Sequence, residues 1–413
     1  MADLLPPALP QRLRRLGFLN SVVIGLWAIA LAGIFVRLTL APHQHNIFPT
    51  YLQAGRHWAE GSGLYTTDRG RGFVYSPLAA EFFAVLSLLP EAPANIFWRL
   101  LNAAALLGAV WWWLQLGLQP IPKKRWGLVF LLLLPLSLGN LSNGQANPLV
   151  IGLLLFGILG ARTERWYLAA LCVALATYLK IYPLAVGLLL ALVFPLKFAW
   201  RLAAALALLG VLPFCLQRPS YVLGQYGSWI ATRASDDRHL YETRIAPHDL
   251  WLVLSTLHIP IGEYAYEGVQ LFAAAAVALV CLAGRLRRWP MDRLLVTLFT
   301  LGCCWMVLLG PATESPTYAL MAPAVVLASV QETEPKWLRA PAVFALALLL
   351  AGFGINSFIS HKDLFAIVQP VATIIFSCYA VILALTPPFW ARDDSVRAGR
   401  RPEQEAGLRT EIS

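Results

Sequence analysis

The sequence predicts an all-α polytopic membrane protein, a bundle of about 12 transmembrane helices. Three observations carry that expectation. Of 413 residues, 58% are hydrophobic and only 13% are charged, whereas soluble domains carry about 25% charged residues. Apolar runs of membrane-spanning length recur along the whole chain, and the mean hydropathy is +0.64. The net charge of +10 arises from Lys and Arg gathered in short turns between those runs. That is the pattern of cytoplasmic loops, so the basic balance points to membrane lipids and not to nucleic acid. Six cysteines, Cys172, Cys215, Cys281, Cys303, Cys304 and Cys378, all fall inside apolar runs. A disulfide framework or a zinc site is therefore not expected.

The positive-inside rule orders the elements. Arg12, Arg14 and Arg15 precede a first apolar run, Leu16 to about Leu40, read as an anchor because no small-residue cleavage site follows it. The N-terminus is then cytoplasmic and residues 41–96 are outside, with Tyr65 among them. The chain returns inside at Lys123–Arg125, Arg162/Arg165, Lys197/Arg201, Arg285–Arg293 and Lys336/Arg339, and ends in a basic tail. These inner segments hold 21 of the 32 Lys and Arg, and no span has to be inverted. A second outer segment, residues 217–267, includes Tyr241. Two apolar pieces, Pro77–Leu89 and Leu250–Leu257, are too short to span and read as re-entrant or interfacial helices. Residues 391–413 form a polar cytoplasmic tail expected to be disordered. Long loops on one face of a scaffold usually carry function, and here both lie outside.

The polar residues that an apolar chain would avoid concentrate between Asn140 and Leu189. Ser142–Pro148 reads SNGQANP, and Lys180 stands between Tyr178 and Tyr182 at the tip of a second hairpin. A lysine at such a junction is costly unless it reaches water or an anion. Snorkelling to headgroups is the bland explanation for it, and turn formation is the bland one for Gln145 and Asn147-Pro148.

The G-Q-x-N loop followed by K-x-Y-P resembles glycosyltransferase family 87. So do Gly63-Leu64-Tyr65, Tyr75-Ser76-Pro77 and Trp98-Arg99-Leu100-Leu101-Asn102, in the family's order. The resemblance covers most of residues 44–200; later, only the segment Gly310–Pro323 is similar to a family turn. It implies a GT-C-like transmembrane domain over residues 1–390 and a polyprenyl-phosphate sugar donor, most plausibly of mannose. It also implies a lipid or cell-envelope glycan acceptor, inverting displacement at the outer face of the cell membrane, no cofactor and no obligatory metal. The first outer loop indeed offers no clustered acidic pair for a metal.

Such an enzyme must hold a phosphate, and Lys180 suits that task, with Arg69, Arg71 and Arg244 as helpers. Gln145, Asn147, Tyr65, Tyr75, Tyr182 and Glu314 are expected at the substrates. A base must take a proton from the acceptor hydroxyl. Family members usually carry an Asp four residues before the aromatic that corresponds to Tyr51, but here that position is Ile47, preceded by Asn46. His45 is the nearest substitute, because histidine is a residue type suited to proton transfer near neutrality. Asp68 ranks second because Arg69 and Arg71 flank it. His248 and Asp249, at the start of a short apolar helix, come next, and Glu314 after them. A transporter or flippase is the competing class, but it would place charges at mid-span, and the spans here carry almost none. A family member that binds polyprenyl lipid without chemistry is the third reading.

Overall fold

The computed structural model describes residues 18–65, 72–234, 247–310, 313–332, 334–358 and 367–386. Among them there is no strand. The helices in chain order are α1 (Phe18–Leu40), α2 (Phe48–Glu60), α3 (Pro77–Leu86), α4 (Glu91–Leu116) and α5 (Trp126–Asn143). Then come α6 (Asn147–Arg162), α7 (Trp166–Leu179), α8 (Leu184–Val193), α9 (Trp200–Val211) and α10 (Pro219–Ala234). The remainder are α11 (Leu250–Thr256), α12 (Glu263–Leu286), α13 (Met291–Leu308), α14 (Ala322–Val330), α15 (Lys336–Phe358) and α16 (Val368–Leu385). A 3-10 segment, Ser315–Met321, leads into α14.

Among the described residues, eight helices are long and apolar enough to cross a membrane, fewer than the twelve or so expected. The difference has an identifiable source. The four other expected spans coincide with α6, α7, α8 and Ser315–Val330, which are apolar but shorter than a span. Hydropathy gives the same signal for a helix buried in protein and for one bathed in lipid. Helix α6 shows this: Val150, Leu154, Leu155, Ile158 and Leu159 are all fully buried. It packs most extensively against α4 and α7. Two glycines make those contacts close. A Cβ on Gly152 would lie 2.6 Å from the Ala105 carbonyl carbon, and one on Gly160 would lie 3.0 Å from the Ala169 nitrogen. By contrast, α1 and α12 leave Ile24, Ile29, Val36, Leu271, Phe272 and Leu279 exposed. Exposed apolar faces of this extent suit contact with lipid.

The two short apolar pieces form helices, as α3 and α11. Helix α3 lies against α2, where Gly55 leaves no room for a side chain beside the Phe83 backbone. An aromatic cluster, Phe48, Tyr51, Phe73, Phe83 and Trp98, fills the space between this pair and α4. Helix α10 covers the pair from the other side. Gln217 Nε2 donates to the Trp58 carbonyl at 2.7 Å, the Tyr221 hydroxyl to Ser62 O at 2.7 Å, and Leu64 N to Gln225 Oε1 at 3.0 Å. The described parts of the two long loop segments therefore pack against each other.

Candidate functional site

Three turns far apart in sequence meet at one end of the bundle: Gly144–Asn147 between α5 and α6, Lys180–Pro183 between α7 and α8, and Thr313–Pro316 before α14. The first turn is set locally. Gly144 ends α5 with φ +76°, and its N–H reaches back to Asn140 O. Pro148 sits in the first turn of α6, where its missing N–H needs no partner.

Asn147 is fully buried at the centre of the three turns. Its two amide hydrogens are shared among Asn140 Oδ1 at 2.7 Å, Gln145 Oε1 at 3.0 Å and Pro316 O at 3.0 Å. Its Oδ1 accepts from Lys180 Nζ at 2.7 Å and faces the Tyr182 hydroxyl at 3.4 Å. Asn140 Nδ2 also donates to Pro316 O at 3.0 Å. Lys180 is partly exposed in the turn after α7, with its ammonium 5.6 Å from the centre of the Tyr182 ring. Its hydrogen-bond partner is neutral, and among the described residues no acid pairs with it directly. Burial lowers the amine to about 8, and the nearby Glu314 opposes that shift.

The first loop segment closes over this group. Tyr51 and Tyr75 share a hydroxyl–hydroxyl bond of 2.8 Å, and Tyr65 donates to Tyr75 O at 2.8 Å. Ser76 Oγ donates to Tyr178 O at 2.6 Å, and Ile47 N to Asn143 O at 2.9 Å. Burial raises the pKa values of Tyr51, Tyr75 and Tyr182, so all three remain protonated donors at neutral pH. Glu314 is exposed and caps the 3-10 segment. Its side chain accepts from the Thr317 N–H, and the Thr317 hydroxyl accepts from Glu314 N at 3.3 Å. Its charge acts on Lys180, Tyr51, Tyr75 and Tyr182.

The structure thus brings together Lys180, Gln145, Asn147, Tyr75, Tyr182 and Glu314, with Tyr65 behind Tyr75. The two histidines are placed differently. His45 is exposed on a turn with φ +48° and makes no hydrogen bond or ion pair within the described residues. His248 joins the neighbourhood through its backbone: its N–H donates to Thr313 O at 2.7 Å, and its carbonyl accepts from the Tyr318 hydroxyl. Asp249 is fully buried and accepts from Leu252 N at 3.3 Å as the cap of α11. Asp68, Arg69, Arg71 and Arg244 lie outside the described residues. No group of three His, Cys, Asp or Glu is placed to hold a metal among the described residues, and the six cysteines are free.

Sequence reading had passed over the support of the Gly144 turn. Arg99, fully buried on α4, donates to Asn46 Oδ1 at 3.0 Å, to Ser142 O at 2.9 Å and to the Asn95 side chain. Trp98 Nε1 donates to Gly144 O at 2.7 Å. Asn46, beside the vacant acidic position, is therefore committed to Arg99. The available signal was a single arginine in an apolar run, flanked by Asn95 and Asn102. Gly144→Ala should expose how tightly this support fits. The new Cβ would lie 3.0 Å from Arg99 Nη2 on a backbone that L side chains rarely adopt. A loss of about 1–3 kcal/mol in stability is expected, read as a lower melting temperature in detergent.

A buried asparagine hub, a lysine with no paired acid among the described residues, and protonated phenols gather at one end of the bundle, an arrangement suited to an anionic, hydroxyl-rich ligand. No curated protein matches the chain. The sequence model of glycosyltransferase family 87 matches residues 73–311, more than half its length and the stretch that contains Asn140, Asn147 and Lys180. The chain is a membrane glycosyltransferase by descent and belongs to glycosyltransferase family 87.

Proposed function

We propose that the protein transfers a sugar, mannose in the first instance, from a polyprenyl-phosphate donor to a hydroxyl of a lipid or cell-envelope acceptor at the outer face of the cell membrane. The observation that supports this most is the setting of Lys180. Its ammonium is fixed by a neutral acceptor 2.7 Å away, so its charge is available to a phosphate at the mouth of the site. A lysine acts on phosphate as a point charge and needs no planar partner. Tyr182 and Tyr75 supply neutral donors for sugar hydroxyls or phosphate oxygens, and Gln145 lines the same turn.

In the reaction so read, the acceptor oxygen attacks the anomeric carbon while the bond from that carbon to the phosphate oxygen breaks. The acceptor proton passes to a base, and the leaving polyprenyl phosphate keeps the electron pair of the broken bond. Lys180 stabilises the negative charge that grows on that phosphate, which lowers the barrier more than the ground state.

The test uses purified protein in liposomes, labelled polyprenyl-phosphate mannose and a lipid extract. A labelled glycolipid is the expected product. Donor that binds and stays intact would identify a lipid-binding relative without chemistry. Donor that changes leaflet without covalent change would identify a flippase.

Orientation is checked separately. A cysteine at Tyr65, introduced into a chain freed of its own cysteines, should react with an impermeant thiol reagent from the outside of intact cells. Reaction only after the cytoplasmic side is opened would place the site in the wrong compartment for this donor and acceptor.

A further inference from the structure

We propose that Glu314 is the catalytic base, the group that takes the proton from the acceptor hydroxyl. The inference rests on the transfer reaction proposed above and assigns the step left open by the missing acid at Ile47.

Four observations converge on it. First, the residues around the vacant position cannot serve. Ile47 has no ionisable group, and the Asn46 amide oxygen is taken by Arg99 Nη2 at 3.0 Å and by Phe48 N at 3.1 Å. Second, other described acids and histidines at this end are placed differently: His45 is exposed on its own turn, and His248 meets Thr313 and Tyr318 through its backbone. Asp249 is buried as the cap of α11, and His43 faces Glu91 at 3.9 Å on the exposed turn. Third, Glu314 is built into the site. The Pro316 carbonyl, two residues on, accepts from both Asn140 and Asn147, and Asn147 holds Lys180. The capping bonds with Thr317 fix where the carboxylate begins its reach. Fourth, the Glu314 charge acts on Lys180, and no ion pair joins the two. The carboxylate is exposed and its charge reaches Lys180, Tyr51, Tyr75 and Tyr182, yet nothing joins it directly to the ammonium.

In the proposed reaction the donor phosphate lies at Lys180 and the acceptor hydroxyl at Glu314, with the anomeric carbon between them. The acceptor O–H bond breaks as its proton moves to a Glu314 carboxylate oxygen. The acceptor oxygen forms its bond to the anomeric carbon, and the bond to the phosphate oxygen opens toward Lys180. Base and leaving group on opposite sides of the carbon require inversion.

Glu314→Gln is the informative substitution. The amide oxygen can still accept from the Thr317 N–H, so the cap survives while the base is removed. With saturating donor, turnover should fall by about 100-fold or more, the usual contribution of a positioned base. Donor affinity should hold or improve, because a negative charge near the phosphate has gone. Glu314→Asp, one methylene shorter, should restore part of the turnover. If the wild type transfers sugar and Glu314→Gln keeps turnover within about threefold, the assignment is wrong. A change confined to donor affinity, with turnover kept, would make Glu314 a counter-ion and overturn it equally. A wild type that binds donor but forms no product with any acceptor overturns the transfer itself, and the base with it.

Discussion

Lys180→Ala should weaken polyprenyl-phosphate donor binding by about 1.5–3 kcal/mol, the range for a hydrogen bond to a charged group. The ammonium is partly exposed, so some of the field of a bound phosphate is screened and the lower half of the range is the better guide. Lys180→Arg should recover only part of the loss. The Asn147 oxygen 2.7 Å from Nζ is placed for a compact ammonium, and a planar fork directs its donors elsewhere. Donor affinity should also depend on pH in a definite direction. Burial has lowered the free amine to about 8, and a bound phosphate favours the charged form and raises it. Affinity is therefore constant below about 8 and declines as pH rises above it, by up to tenfold per unit until the pKa of the complex is reached. Titration of donor binding between pH 7 and 9.5 measures this. An affinity that stays flat across that interval, or an alanine variant that binds as the wild type does, removes Lys180 from the phosphate.

How much of this was legible in the sequence follows from what each signal depends on. Lys180 was visible because a charge between two apolar runs is conspicuous wherever the chain folds. The G-Q-x-N loop was visible because its turn chemistry is local: Gly144 supplies the positive φ and Pro148 opens α6. The hub that joins them was not. Pro316 lies 176 residues from Asn140 and 169 from Asn147, and no periodicity or spacing brings such residues together. Glu314 shows the consequence. Read locally, it is one acidic residue in a polar turn, ranked below His45. In the fold it is, among the described residues, an acid whose charge acts on Lys180, while His45 lies on an exposed turn. The expected spans that form helices of only 10–17 residues have a related lesson. Helix α6 is apolar on every side because it is surrounded by protein, and hydropathy does not distinguish that from lipid. Arg99 reverses the case: its charge was visible, but its role of holding the Ser142–Gly144 turn from below became clear only once Asn46, Asn95 and Ser142 were seen around it.

The most severe single change expected at the site is Asn147→Asp, which replaces the amide NH2 by one oxygen and reverses the logic of the hub. The amide of Asn147 donates to Gln145 Oε1, Asn140 Oδ1 and Pro316 O, all within 3.0 Å. A carboxylate donates to none of them. Gln145 and Asn140 carry amides that can turn over, but the Pro316 carbonyl is fixed by the backbone and would face a negative oxygen in a fully buried position. An orphaned or repelled buried polar group costs about 1–3 kcal/mol, so a loss of at least about that size in stability is expected. The other oxygen would pair with the Lys180 ammonium, cancelling the charge that the neutral asparagine leaves available. Donor binding should therefore fall at least as far as in Lys180→Ala. A double-mutant cycle separates the two effects. If Asn147→Asp acts by neutralising Lys180, its effect on donor affinity should shrink in the Lys180→Ala background, while its effect on melting temperature should persist. An Asn147→Asp protein that folds and binds donor within about twofold of the wild type, a difference of only about 0.4 kcal/mol, would show that phosphate is held somewhere other than at Lys180.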